Sequence, residues 1–352
     1  MRGNRLTVML VAALLAVATI GLTAPGAGAQ PPEHAPPVVH TTSADPAAVA
    51  AYWTPERMAN AVPAEVLLSD REGPRGRSVE RGTPHTVAPV HHRPGHAGGP
   101  GGGGGDDGDD GDDGTVTVTG ATWTDGGLVA DTTGKLFFTL DGSNYVCSGS
   151  VVTAGNDSLI LTAGHCIHEG SGGDDGFATD VAFVPAYSGS GTDQEGPHGV
   201  WPAEHLTTTQ QWATSGNLDY DVGFIVTHTL DGETITDVVG GAQGIAFNQD
   251  RGTHVYAFGY PHASPYDGTT LTYCAGNTVN DPFGGSAQGV TCDMTGGSSG
   301  GPWYADFNPD TAVGTAYSVN SYRYRIGRHR DKMFGPYFGD AIKTLYDATE
   351  TR

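Results

Sequence analysis

Beyond position 114 the chain is a succession of short apolar runs, several of which alternate with polar residues. Val, Ile, Phe, Tyr and Thr are frequent in these runs, and Gly, Asp, Asn and Ser separate them. This pattern is typical of the strands of a β-sandwich or barrel. It predicts strands within the segments TVTVTGATW, GKLFFTL, CSGSVVT, SLILTA, DVAFVPAY, DVGFIVT, HVYAFGY and GTAYSVNSY.

The last segment of the chain has the spacing of a helix instead. Residues 339–350 place Ala341, Ile342 and Leu345 on one face, which predicts a C-terminal helix. Residues 115–352 are therefore expected to form an all-β domain of one or two barrels that ends in this helix.

The N-terminal residues have the order of a secretory signal peptide. Arg2 and Arg5 precede an apolar run from Leu6 to Leu22, and small residues follow up to Ala29. The sequence predicts a signal peptide over residues 1–29, cut after Ala29. An uncleaved membrane anchor is the alternative, but the run is short for a helix that spans a bilayer.

Residues 30–94 are rich in Pro and Ala and contain one predicted short helix. Thr54 can cap it, Pro55 suits its first position, and Pro63 ends it. With one helix and few large apolar residues, this region cannot form a core of its own. We interpret it as a prosegment, or leader, that docks on the rest of the chain.

Residues 95–114, GHAGGPGGGGGDDGDDGDDG, predict an extended linker because Gly-rich sequence is flexible and neighbouring Asp side chains repel. Calcium binding is the alternative, but the DDG repeat lacks the fixed offsets of a calcium loop. Metal binding by the nearby histidines is also considered, although the region lacks a framework to position them. These histidines are His85, His91, His92 and His96.

Composition and charge narrow the function classes. The chain has 55 Gly and 22 Pro, only 16% charged residues and a formal net charge of −22. So negative a surface repels phosphate backbones and anionic lipid headgroups, so neither nucleic acid nor a membrane is expected as a partner.

The cysteines are expected to pair because an exported protein folds in an oxidising compartment. Four cysteines allow three connectivities, and their order along the chain suggests two local loops. These are Cys147–Cys166 and Cys274–Cys292, each worth roughly 3 kcal/mol in the chain-entropy model.

Three short motifs carry candidate chemistry. They are LTAGHC at 161–166, DYDVGF at 219–224 and GGSSGGP at 296–302. A serine hydroxyl is a weak nucleophile at neutral pH and needs an imidazole to take its proton, and the imidazole needs a carboxylate to orient it. The developing oxyanion needs backbone N–H donors, which glycines beside the serine leave unobstructed.

In the order His, Asp, Ser, the motifs TAGHC, YDVGF and GSSGGP resemble those of chymotrypsin/trypsin-like serine peptidases. Within that superfamily the chain is most similar to the bacterial secreted branch related to V8-type glutamyl endopeptidases. The segment WTPERM at 53–58 also resembles the prosegment of actinobacterial trypsin-like peptidases. The resemblance covers most of residues 115–352 and implies two antiparallel six-stranded β-barrels.

The resemblance implies a role for each matching residue. His165 would be the general base and then the general acid, Asp221 would orient it, and Ser299 would be the nucleophile. The backbone N–H groups of Gly297 and Ser299 would form the oxyanion hole. The disulfide Cys147–Cys166 would lie beside the histidine, and Cys274–Cys292 would border the substrate pocket.

Some alternatives and departures accompany this interpretation. His165 and His168 could instead be a metal-ligand pair, but no third and fourth ligands are evident and we expect no metal. Asp219 competes with Asp221, which we prefer because the pattern of the resembled family places the acid directly before a small apolar strand. Ser298 stands where animal trypsins have an Asp that pairs with a new N-terminus, so that activation mechanism is in doubt.

The substrate preference is open at this stage. Asp293 matches the position where trypsins bind Arg or Lys, although V8-type enzymes often carry an acid nearby. Asn320 appears where glutamyl-specific relatives often have a His. A basic cluster after YSVNSY could favour acidic substrates or could be a solvated loop. The cluster consists of Arg323, Arg325, Arg328, Arg330 and Lys332.

The sequence thus predicts a secreted, monomeric serine endopeptidase that acts on proteins or peptides through an acyl-enzyme, with its own prosegment as a partner and without a cofactor. A non-catalytic binding protein with the same fold is the alternative, but no triad residue is missing. A serine esterase is disfavoured because it would carry G-x-S-x-G and the order Ser, Asp, His.

Overall fold

A computed structural model describes residues 32, 35–68, 81–91, 116–189, 196–325 and 327–352, and builds them mainly from β-strands. The strands are β1 (Val38–Thr41), β2 (Val62–Pro63), β3 (His85–Val87), β4 (Val90–His91), β5 (Val118–Thr122), β6 (Thr133–Leu140), β7 (Ser143–Val151), β8 (Leu159–Thr162), β9 (Thr179–Pro185), β10 (Trp201–Thr208), β11 (Gly223–Thr227), β12 (Gly241–Ala242), β13 (Gly244–Phe247), β14 (His254–Gly259), β15 (Thr272–Asn277), β16 (Val279–Asn280), β17 (Gln288–Thr291), β18 (Pro302–Asn308), β19 (Val313–Val319) and β20 (Lys332–Gly335).

The helices are short. They are α1 (Pro46–Tyr52), α2 (Pro55–Asn60), α3 (Leu128–Thr132), α4 (Gln210–Ser215), α5 (Ile235–Val239) and α6 (Asp340–Asp347). Turns of 3₁₀ helix cover Ala64–Leu68, Gly164–Cys166, Gly173–Asp175 and Leu218–Tyr220. In the part of the chain that the structure describes, no helix has the length and apolar character needed to cross a membrane.

The first half of the domain is a closed barrel. Its six strands follow the order β10-β11-β8-β7-β6-β9, and β10 also pairs with β9 to close the ring. Every residue of β8 and β11 is buried, so the side chains on both faces of these two strands pack against other parts of the protein. Thr162 of β8 pairs with Gly223 of β11. This register brings the two loops that adjoin these residues to one end of the barrel.

The second half contains a sheet with six strands from the same domain, in the order β13-β19-β18-β14-β15-β5. Its pairings are antiparallel except that β13 runs parallel to β19. A smaller sheet has the strand order β16-β17-β20, and α6 follows β20 in the chain. The all-β fold with a C-terminal helix is confirmed.

The described residues of the leader, 35–68 and 81–91, pair with strands of both halves of the domain. Strand β1 pairs with β10 of the barrel, and β3 pairs with β13 of the second sheet. The helix predicted after Thr54 is confirmed as α2, whose first turn Thr54 caps. Trp53, with 1% of its surface exposed, packs against Phe137 at 5.4 Å between ring centroids. The leader therefore contributes side chains to the main hydrophobic core.

All the strands predicted from the sequence occur, within a few residues of the expected bounds. Several others were not predicted, among them β10, whose Pro202, Glu204 and His205 interrupt the apolar pattern. It is a strand because it pairs on both sides within the barrel. The predicted signal peptide and linker lie outside the described residues.

Candidate active site

His165 and Asp221 meet where β8 and β11 end. His165 lies in the 3₁₀ turn that follows β8, and Asp221 lies two residues before β11 begins. The Asp221 carboxylate accepts a hydrogen bond from the His165 backbone N–H through Oδ1 and pairs with ring atom Nδ1 through Oδ2, both at 2.7 Å. Two contacts to one carboxylate fix both the turn and the ring.

Asp221 is fully buried, and its environment keeps it ionised. Burial by itself would raise the pKa of its carboxyl group. The charge of the His165 ring and the hydrogen bonds from His165 and the Ser321 hydroxyl outweigh burial, so the pKa of Asp221 lies below its ordinary value. The outer nitrogen of His165, Nε2, is buried without a hydrogen-bond partner among the described residues.

The predicted nucleophile Ser299 lies in the turn that precedes β18. Gly297 and Gly300 on either side have positive φ angles of 101° and 79°. A Cβ at Gly300 would come within 2.1 Å of Thr162 Oγ1 and 2.9 Å of Ala163 N. Glycine is needed there because the turn packs against the end of β8, immediately before His165.

Ser148 of β7 holds the same turn from the barrel side. Its backbone N–H donates to the carbonyl of Ser299 at 2.7 Å, and its hydroxyl donates to the carbonyl of Gly297 at 2.9 Å. Sequence reasoning missed this residue. The one available signal was its position directly after Cys147.

The Gly297 N–H, predicted to be an oxyanion donor, is hydrogen-bonded to a residue of the leader. It donates to Oε2 of Glu65 at 2.9 Å. Glu65 lies in the 3₁₀ turn that follows β2 and was not among the predicted site residues. No sequence pattern distinguishes it from the other acidic residues of the leader.

Solved structures of known proteins share this architecture. A thermostable serine protease, AL20, from an extremophilic microorganism has 42% identity and a TM-score of 0.58, with 64% of this chain and 99% of that chain covered. The chain belongs to the chymotrypsin-like serine proteases. The protease Anisep from Arthrobacter nicotinovorans is 43% identical to this serine protease, with a TM-score of 0.57 and coverage of 68% of this chain and 99% of the other.

A Glu endopeptidase, solved in complex with MPD, shares the fold at 18% identity, with a TM-score of 0.51 and 67% and 100% coverage of the two chains. No family model matches the sequence of this serine protease, and no curated protein does. The expected membership of the serine proteases is confirmed.

Both expected disulfides form. Cys147 of β7 bonds to Cys166, which is next to His165, and Cys274 of β15 bonds to Cys292. Cys147, His165 and Cys166 come close enough to suggest a metal site. The two sulfur atoms are joined to each other, however, and offer no thiolate to a metal. His168 points elsewhere, with its Nε2 paired with the Gly173 carbonyl at 2.7 Å.

The remaining predicted site residues, Asp219, Asn320 and Asp293, have hydrogen-bond partners other than His165 and the Ser299 side chain. Asp219, the rival of Asp221, is buried and accepts hydrogen bonds from the N–H groups of Ser286 and Ala287 at 2.7 and 2.9 Å. It fastens a neighbouring loop and does not contact His165. Burial raises the pKa of Asp219, and these backbone hydrogen bonds oppose the rise.

Asn320 is also buried and lies behind the Ser299 turn. Its amide group donates to the carbonyls of Phe258 and Ser298 at 2.8 and 3.0 Å, and its carbonyl accepts from Trp303 at 2.7 Å. Each polar atom of the side chain is thus engaged with protein groups. This placement supports the turn and argues against a direct contact with substrate.

Asp293 is exposed, and Tyr266 donates to its Oδ1 at 2.5 Å. The half-buried Arg323 donates to the carbonyls of the two residues that flank Asp293 in sequence, Cys292 and Met294, at 2.6 and 2.7 Å. Burial lowers the pKa of Arg323, while the negative charges of Asp293 and Glu65 oppose that shift. The other arginines of the basic cluster, Arg325, Arg328 and Arg330, are exposed.

Proposed function

We propose that the chain is a secreted serine endopeptidase in which Ser299, His165 and Asp221 act as a catalytic triad. The observation that carries the proposal is the pair of 2.7 Å contacts between Asp221 and His165, beside the glycine-flanked turn of Ser299. Such a carboxylate orients the imidazole and stabilises its protonated form.

In the proposed reaction, Ser299 Oγ attacks the carbonyl carbon of the peptide while His165 Nε2 takes the hydroxyl proton. The N–H groups of Gly297 and Ser299 stabilise the oxyanion of the tetrahedral intermediate. Its collapse breaks the C–N bond, and His165 returns the proton to the departing amine. Water then hydrolyses the acyl-enzyme by the same steps, with His165 as the base.

We also propose the processing route that the sequence indicates. Residues 1–29 would direct export, and residues 30–94 with the linker 95–114 would be removed to leave residues 115–352 as the active enzyme. The two disulfides support an oxidising destination. The leader would be an internal partner of this domain, and proteins or peptides its substrates.

The first experiment compares the secreted wild-type protein with Ser299→Ala on a mixed peptide library, with the cut positions identified by mass spectrometry. Removing the nucleophile is expected to lower turnover on the order of 10⁶-fold. Ser298→Ala is the matched control and should lose less than about tenfold, because the Ser298 hydroxyl donates to the Thr295 carbonyl.

Near-native cutting by Ser299→Ala would contradict the proposal. No cutting by a folded, processed wild-type protein would favour the binding-protein alternative. The cut positions also read the substrate preference: cuts after Arg or Lys would implicate Asp293, and cuts after Glu or Asp would implicate the basic cluster that begins at Arg323.

A further inference from the structure

The leader crosses the active site between α2 and the end of its 3₁₀ turn. Val62 and Pro63 of β2 pair in parallel with Tyr145 and Val146 of β7. Ala64 is completely buried in the main core. The 3₁₀ turn that follows, Ala64–Leu68, contacts the turn that bears His165. The side chains of His165 and Ser299 are both buried, with 1% of their surface exposed.

The end of this turn contacts a second part of the domain. Leu68 packs against the small apolar cluster that contains Trp212 and Tyr322. Tyr322 directly follows Ser321, which donates to Asp221. The leader thus contacts β7 at one point and, at another, the apolar cluster next to the residue that donates to Asp221.

The carboxylate of Glu65 lies between these two contacts in the sequence of the leader. Glu65 Oε2 accepts the Gly297 N–H, and a Cβ added to Gly296 would lie 2.8 Å from the same oxygen. The positive charge of Arg323 is also within range of Glu65. An N–H donor aimed at a developing oxyanion suits a negative oxygen equally well, so the side chain matches the chemistry of the site.

We propose that the leader keeps the enzyme inactive by placing the Glu65 carboxylate on the oxyanion donor, so that residues 62–68 act as a built-in carboxylate ligand. This inference rests on the proposed function of Ser299 and Gly297. A substrate carbonyl cannot accept the Gly297 N–H while Glu65 holds it. The group at the donor is a side-chain carboxylate without an amine leaving group, so this contact blocks the site without being cleaved.

The inhibition is an equilibrium between a docked and an undocked leader. Activity in the uncleaved chain is proportional to the undocked fraction. Removing a contact that stabilises the docked leader therefore raises that fraction. A hydrogen bond to a charged group typically contributes a factor of roughly 10 to 100. Removing the Glu65 carboxylate should therefore raise the reactivity of Ser299 by about that factor while the leader is still attached.

The test uses the full chain and a fluorophosphonate probe. Ser299 Oγ forms a bond to phosphorus, fluoride leaves, and the serine proton passes to His165. Intact-mass spectrometry counts only molecules that still carry the leader and have gained the probe. We expect Glu65→Ala to be labelled roughly 10- to 100-fold faster than the wild type, with Glu65→Gln in between because the amide keeps the shape and loses the charge.

Glu56→Gln is the matched control, because it removes the same charge from an exposed position of the same leader. It should be labelled at the wild-type rate. Equal labelling rates for Glu65→Ala, Glu65→Gln and wild type, with rapid labelling of the processed enzyme, would overturn the role of Glu65 and leave the proposed function intact. If the processed wild-type enzyme neither labels nor cuts peptides, the proposed function itself fails.

Discussion

At the scale of single residues, the site depends on two aspartates that are two positions apart in sequence and have different surroundings. Asp221 receives the His165 ring, its backbone N–H and the Ser321 hydroxyl. Asp219 is also buried, but its carboxylate accepts hydrogen bonds from backbone N–H groups of another loop. Because a 3₁₀ helix has three residues per turn, side chains two positions apart point in different directions, and the two carboxylates reach different partners.

This difference predicts unequal effects for the same substitution. Asp221→Asn keeps the shape of the side chain but removes the charge that stabilises the protonated His165, so kcat should fall about 10⁴-fold. Asp219→Asn still offers an oxygen to Ser286 and Ala287 and should keep kcat within about tenfold. Steady-state kinetics on one peptide substrate at neutral pH measures both. A larger kcat loss for Asp219→Asn would reverse the assignment.

At the scale of elements, strand β6 carries a lysine inside the barrel wall. Lys135 has 1% of its surface exposed, and its Nζ lies 3.2 Å from both His262 Nδ1 and the Gly268 carbonyl. Burial lowers the pKa of Lys135 to about 7, and the charge of Asp267 only partly opposes that shift. A lysine at such a position makes the stability of the whole domain depend on pH.

The direction of this dependence follows from proton counting. The unfolded chain keeps Lys135 protonated up to about pH 10, whereas the folded protein releases the proton near pH 7. Between these values the unfolded state binds more protons, so the free energy of unfolding rises with pH. In a Ser299→Ala background, Lys135→Met should therefore be stabilising at pH 7, on the order of several kcal/mol at most, and the gain should shrink by pH 9.5.

Denaturant unfolding at both pH values measures this effect. Lys343→Met is the matched control, because that lysine is partly exposed and pairs with Asp347 at 2.6 Å on the surface of α6. If the stability difference between Lys135→Met and its parent were the same at pH 7 and pH 9.5, burial of a neutral amine at this position would be refuted.

At the scale of the whole molecule, the leader is an integral part of the folded domain. Four of its segments pair with strands of the domain: β1 with β10, β2 with β7, β3 with β13 and β4 with β12. Its apolar side chains join the main core. Attachment at several places means that each contact raises the effective concentration of the others.

A cut in the linker alone is therefore not expected to release the leader. In Ser299→Ala with a specific protease site inserted within residues 95–114, the cleaved leader should co-elute with residues 115–352 in size-exclusion chromatography. Trp53→Ala removes a buried indole worth about 3–5 kcal/mol, so its cleaved leader should bind roughly 100-fold more weakly or worse and elute separately. Release of the Trp53-containing leader on cleavage would contradict this account.

The sequence by itself determined the features that depend on local pattern. Alternating apolar positions specified the strands, and the resemblance of the motifs TAGHC, DVGF and GGSSGGP to those of serine peptidases specified His165, Asp221 and Ser299 as candidates. The fold then brought His165 and Asp221 to one carboxylate-imidazole contact, and both local disulfides formed. The strands and the candidate residues were predictable because each depends on residue type and short-range spacing, which a sequence displays directly.

The tertiary structure alone decided which residues from distant parts of the chain meet the site. Glu65 and Gly297 are 232 positions apart, Ser148 and Gly297 are 149 apart, and Lys135 and His262 are 127 apart. Nothing in the local sequence of Glu65 distinguishes it from exposed Glu56, and Asn320 lies behind the Ser299 turn although its position in the sequence suggested a pocket. A side chain's partner and burial follow from the packing of strands that are remote in sequence, so a linear pattern holds no record of them.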